Sequence, residues 1–169
     1  MRVAVAGTFG PLHDGHRALF ERALEAGDDG VVVALTSDDL AQRTRHEPRP
    51  VPPLAERVAS VRAALSELDR WGRDVEIRTL HHRYDVAGTD PTIDALVVSP
   101  ETETEVVEVN RRRRLRGYDP VEPLVVPFVY AEDGERISST RIVRGEIDEH
   151  GRVSSESSES SGSSESSGS

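Results

Sequence analysis

Short runs of β-branched residues alternate with amphipathic stretches along most of this chain, and that alternation limits the folds open to it more than any other feature. Strand-like runs occur at Arg2 to Ala6, Val31 to Leu35, Val75 to Leu80, Ala95 to Val98 and around Leu124 to Tyr130. Between them, apolar residues recur with helical spacing: Ala18, Leu19, Phe20, Ala23 and Leu24; then Leu54, Val58, Val61, Ala64, Leu65 and Leu68; then Val106, Val107 and Val109. A last helix is expected from Ser138 or Ser139, and the prolines Pro48, Pro50, Pro52 and Pro53 mark a loop after the second strand. Strand and helix in alternation imply an α/β domain built on a parallel sheet with helices on both faces. Pro127 cannot donate to a ladder, so the fifth strand is expected at an edge or at a bulge.

The 169 residues suffice for one domain with a sizeable core. From Ser154 onward the chain holds Ser, Glu and Gly alone, a composition expected to stay disordered, so the folded unit is placed at 1–153 and the tail at 154–169. The formal charge is −10, which argues against nucleic acid as a general partner because a polyanion would be repelled by most of the surface. No apolar run approaches the roughly 20 residues of a membrane helix and no secretion signal opens the chain, so a soluble, cytoplasmic protein without a membrane partner is expected. Cysteine is absent, which excludes disulfides, thiolate metal sites and cysteine nucleophiles. All 21 basic residues are arginine, and this, with the acidity, fits either salt adaptation or codon bias.

Chemistry concentrates in two segments. The first strand runs into Gly7-Thr8-Phe9-Gly10-Pro11-Leu12-His13-Asp14-Gly15-His16, at the strand end where parallel sheets bind ligands. Glycines there are expected to let backbone approach a phosphate, and the following helix points free N–H groups toward the same place. His13 and His16, three apart, fall on one side of the helix entrance and suit charge stabilisation in phosphoryl chemistry. They also suit zinc or a helix cap, although no third ligand is signalled nearby. The second segment, Ile137-Ser138-Ser139-Thr140-Arg141-Ile142, opens the last helix and reads either as an N-cap or as a polyphosphate cradle. Arg111 to Arg114 and Arg116 read as a solvated helix face, His46, His81 and His82 as exposed loop histidines, and Trp71 as packing the end of the long helix.

The pairing of Gly-Thr-Phe-x-Pro-Leu-His-x-Gly-His with Ile-Ser-Ser-Thr-Arg-Ile resembles the nucleotidylyltransferase superfamily. Thr36-Ser37-Asp38, Ser99-Pro100-Glu101-Thr102, Asn110 to Arg113 and Ala131 to Gly134 are similar to the archaeal type of phosphopantetheine adenylyltransferase. The resemblance spans Met1 to about Gly151. It implies a Rossmann-like sheet of order 3-2-1-4-5 and transfer of AMP from ATP to 4′-phosphopantetheine, with Mg²⁺ carried by the ATP. By the same resemblance His13 and His16 are the catalytic pair, and Gly7, Thr8, Phe9, His16, Ser99, Glu101, Asn110, Ser138, Ser139, Thr140 and Arg141 surround the nucleotide. Thr8 would meet the acceptor phosphate. Relatives often place a lysine after the second strand for that phosphate, and in this lysine-free chain Arg43 or Arg45 would stand in for it. A sibling enzyme acting on nicotinamide mononucleotide or another small phosphate ester, and a non-catalytic nucleotide sensor, are the alternatives.

Overall fold

The protein, as a computed structural model, is described over residues 1–44 and 50–154. Arg45, His46, Pro48 and the Ser/Glu/Gly tail beyond Ser154, on which several expectations fall, lie outside these residues. The described chain runs β1 (Val3–Gly7), α1 (Asp14–Ala26), β2 (Val31–Thr36), α2 (Asp38–Thr44), α3 (Leu54–Leu68), β3 (Val75–Leu80), β4 (Ala95–Val98), α4 (Glu105–Leu115), β5 (Glu122–Val125) and α5 (Ser139–Val143). The five strands form one sheet in the order β3-β2-β1-β4-β5, parallel at every junction. Val3 pairs with Val31 on one side and Ala95 on the other, which sets the register of the central strands.

Side chains alternate across the sheet and build a core on each face. Val3, Val5, Val31 and Val33 turn toward Phe20 and Leu24 of α1 and Val61 and Leu65 of α3. Ala4, Val32, Ala34 and Leu96 turn the other way, toward Leu40 of α2 and Val106 and Val109 of α4. β2, buried along its whole length, is apolar at both phases, as a strand covered on two faces must be. Trp71 packs against the α1–α3 side of this core, as expected.

β5 departs from its expected span: it ends at Val125, and residues 126–129 leave the sheet. Glu122 and Val126 direct their N–H groups inward, to Asp94 and Val98 carbonyls, so Pro123 falls in the outward phase of this edge strand, where no donor is required. α2, which the sequence pattern did not reveal, is capped by Ser37, whose Oγ accepts from Leu40 N–H at 3.1 Å. Arg113 is not part of a solvated face. It is 1% exposed and donates to the carbonyls of Asp119, Ala87, Asp90 and Ile93, pinning the β3–β4 connection against α4. Desolvation is the main influence on this guanidinium and lowers its pKa. After β5 the chain forms a small third cluster of Ala131, Ile137 and Ile147, then returns to α1, where Asp14 N–H donates to the Glu149 carbonyl. No helix among the described residues is long and apolar enough to cross a membrane.

Candidate active site

The segments that follow β1, β4 and β5 enclose a cleft of about 270 Å³. Seven of the residues singled out in the sequence line it: His13, His16, Ser99, Glu101, Ser138, Ser139 and Thr140. They come from three stretches distant in sequence, and the site sits on the side of the sheet that topology favours.

His13 is the N-cap of α1, with extended backbone and its Nδ1 accepting from the Gly15 N–H at 3.0 Å. Nδ1 therefore carries no proton, and Nε2 is the donor nitrogen. The cap and the chemical reading of this histidine are compatible, because capping selects the tautomer that leaves a ring N–H to donate. His16 stacks on it with ring centroids 3.7 Å apart and planes 21° from parallel. Behind His16 stands Phe9, edge-on at 5.2 Å, itself packed against Phe20. Phe9 holds φ at +54°, a costly backbone state for an aromatic residue. A Cβ at Gly7 would lie 2.9 Å from its ring. Gly7 thus makes room for Phe9 and Phe9 braces His16; neither lines the cleft, so both support the imidazoles from behind.

One residue governing this loop escaped the sequence reading. Arg57 of α3 is 1% exposed, and its guanidinium donates to the Pro52, Thr8 and Thr36 carbonyls at 2.8, 2.9 and 2.8 Å. It also pairs with Asp38 at 2.9 Å. It ties the ends of β1 and β2 to the starts of α2 and α3. Gly10 is glycine because a Cβ there would meet the Arg57 side chain at 2.7 Å. Thr8, fixed by that bond, accepts at Oγ1 from the Thr36 hydroxyl at 3.1 Å. Arg43 pairs with Asp39 along α2 and reaches the His81 carbonyl at 3.5 Å.

On the opposite wall, Ser138 caps α5, its Oγ accepting from the Arg141 N–H at 3.3 Å. Ser139 is buried and donates its hydroxyl to the Pro11 carbonyl at 2.8 Å, a direct link between the two motifs. Arg141 does not line the cleft. Its guanidinium is bonded to Asp133, to Glu146 at 2.9 Å and to the Arg136 carbonyl at 3.2 Å. Those carboxylates raise its pKa, and the bond from Arg141 holds the Asp133 carboxyl below its ordinary value. Asn110 likewise stays outside, both ends of its amide being taken by the Val121 backbone. Ser99 and Thr102 close a hydroxyl-bonded turn after β4, and Val126 to Val129, expected from the sequence to continue the fifth strand, instead supply an apolar wall.

Residues 4–145 match the cytidylyltransferase-like family. Over 148 residues, 88% of this chain and 91% of the relative, the sequence is 45% identical to a protein of Methanopyrus kandleri named phosphopantetheine adenylyltransferase. Over 161 residues, 92% of this chain and 97% of the relative, it is 41% identical to the protein of that name in Methanosarcina acetivorans. The chain belongs to the archaeal-type phosphopantetheine adenylyltransferase family. Among solved structures, a protein of unknown function from Archaeoglobus fulgidus aligns with TM-score 0.65 and 31% identity, covering 75% of this chain and 89% of that one. A Thermoplasma volcanium protein described as a lipopolysaccharide core biosynthesis protein, 23% identical with TM-score 0.55 over 75% of this chain and 95% of that one, shares the fold. The sheet order implied by the resemblance is the one observed, so in this member of the family both sequence motifs face one cleft.

Proposed function

We propose that the chain acts in the cytoplasm to transfer AMP from ATP to 4′-phosphopantetheine, giving dephospho-coenzyme A and pyrophosphate. The observation that carries this reading is the stacked His13–His16 pair facing Ser138 and Thr140 across one cleft, in a chain 45% identical to a phosphopantetheine adenylyltransferase. An oxygen of the acceptor phosphate attacks the α-phosphorus of ATP in line. The bond from that phosphorus to the bridging oxygen breaks, and pyrophosphate leaves with the electron pair. His16 and the Nε2–H of His13 donate to the phosphoryl oxygens as charge grows on them. Ser138 and Thr140 hold the β- and γ-phosphates and Ser99 and Glu101 border the nucleoside, while Thr8 and Arg43, which do not line the cleft, are assigned to the acceptor phosphate by the family resemblance alone. Ser139 and Arg141 act by fixing the α5 wall in place.

Among the described residues no three of His, Asp and Glu converge as a metal cage, and Glu101 is the one carboxylate lining the cleft. That donor set fits a Mg²⁺ held chiefly by the phosphates with Glu101 within reach, and such an ion supplies neutralisation of the leaving pyrophosphate. Pyrophosphate release with a panel of acceptors tests the reading. With ATP, 4′-phosphopantetheine is expected to exceed nicotinamide mononucleotide and glycerol 3-phosphate in kcat/KM by at least about tenfold. A better rate with nicotinamide mononucleotide would overturn the acceptor while leaving nucleotidyl transfer standing.

A further inference from the structure

Arg136 is the one guanidinium that lines the cleft among the described residues. It lies directly before Ile137 and the cap serine, on the segment that carries the last motif. Its backbone is fixed from both sides, by a bridge to Tyr130 and by the bond that its carbonyl accepts from Arg141. The side chain reaches across the mouth of the cleft to Glu101, in the turn after β4, at 3.1 Å, and lies over the Phe128 ring, 4.7 Å from its centre. Arg141, which the sequence motif presents as the phosphate-binding cation, is meanwhile paired with two carboxylates and does not line the cleft.

We infer that Arg136 is the cation that receives the polyphosphate of the nucleotide, exchanging the Glu101 carboxylate for phosphate oxygens as ATP enters. The inference rests on the nucleotidyl-transfer reading above. Three physical points support the exchange. Arg136 and Glu101 are 41% and 54% exposed, and an ion pair so exposed contributes little, so opening it is no barrier. A triphosphate offers several times the charge of one carboxylate, and a guanidinium meets phosphate with paired, charge-assisted hydrogen bonds. Phe128 holds the guanidinium by its ring face, an attraction that leaves the in-plane N–H groups free to turn from Glu101 toward a phosphate.

The test compares ATP and AMP binding, by calorimetry in Mg²⁺ without acceptor, to the full chain and its variants. Arg136→Ala is expected to weaken ATP roughly tenfold to thirtyfold and AMP less than threefold, because AMP lacks the β- and γ-phosphates. Arg136→Lys should recover part of the loss, because it keeps the charge but not the paired geometry. Thermal melts of both variants should stay within about 2 °C of the parent, as befits an exposed pair. Unchanged ATP affinity in Arg136→Ala, or an equal loss for AMP, would overturn the role of Arg136 while the enzyme reading stands. Failure of the parent chain to bind ATP would overturn both.

Discussion

Replacing Arg57 by methionine keeps most of the side-chain bulk and removes every hydrogen bond it makes. The Thr36 carbonyl, reached by a fully buried bond, then loses its donor, and an unsatisfied buried acceptor costs about 1–3 kcal/mol. The bonds to the Thr8 and Pro52 carbonyls are only part-buried, and Pro52 lines a second cavity against α3, so roughly 1 kcal/mol each is the appropriate scale. Asp38 is 63% exposed and, once released, is solvated at little cost. The sum is about 3–5 kcal/mol, the range known for breaking a buried charged network. At 2–4 °C per kcal/mol for a domain of this size, the melting midpoint should fall by roughly 10 °C. Urea titration followed by circular dichroism measures the free energy, and kcat, measured well below the new midpoint, should fall with it because Thr8 is no longer fixed relative to Thr36. A loss under about 1 kcal/mol with unchanged kcat would refute the claim that Arg57 sets the loop.

His16→Ala should lower kcat by roughly 10²–10³ with ATP affinity within several-fold, since its hydrogen bond matters most when charge develops; near-normal turnover in the folded variant would remove it from the reaction. His13→Ala should cost about 1 kcal/mol through the lost cap, whereas His13→Asn, which can cap, should keep stability yet still lose turnover; an asparagine variant with full kcat would reduce His13 to a cap. Asp90 provides a pH test away from the cleft. Burial alone would raise its pKa, but hydrogen bonds from Thr92 and Arg78 outweigh burial and bring it down to about 2. Because the folded value lies below the unfolded one, this stabilisation of about 2 kcal/mol is complete above roughly pH 4 and is lost as pH falls toward 2. Asp90→Asn should remove it at neutral pH and flatten stability over that acid range without changing kcat, as chemical denaturation at several pH values will show.

The histidine pair and the serine cap were legible because their geometry is local: three residues of helix stack His16 on His13, and a serine before a helix caps it whatever surrounds it. β3 and β4 have the bounds their β-branched runs suggest. Residues 126–129 misled because they continue that character past the point where the chain leaves the sheet to wall the cleft. Arg57 and Arg113 were missed because arginine is ordinarily a surface residue. Yet each stands on the apolar stripe of its helix, Arg57 four before Val61 and Arg113 four after Val109. A charged residue at a core position of a helical repeat was the available signal, and its partners, carbonyls at strand ends, emerge only with the tertiary fold. The same limit applies to Asn110 and Arg141, whose side chains are claimed by Val121 and by Asp133 and Glu146 through contacts that no local pattern encodes.

An open sheet is a template at both margins, and a chain still folding can be captured there by a neighbour's extended segment. At the β5 margin Pro123 occupies the outward phase, so a strand arriving from outside would face a missing donor in the middle of a four-residue edge. Val125 is left as the single outward N–H of that strand, too little to hold register with an intruder. The ring that costs nothing inside the molecule therefore makes this flank a poor seed for edge-to-edge aggregation during synthesis.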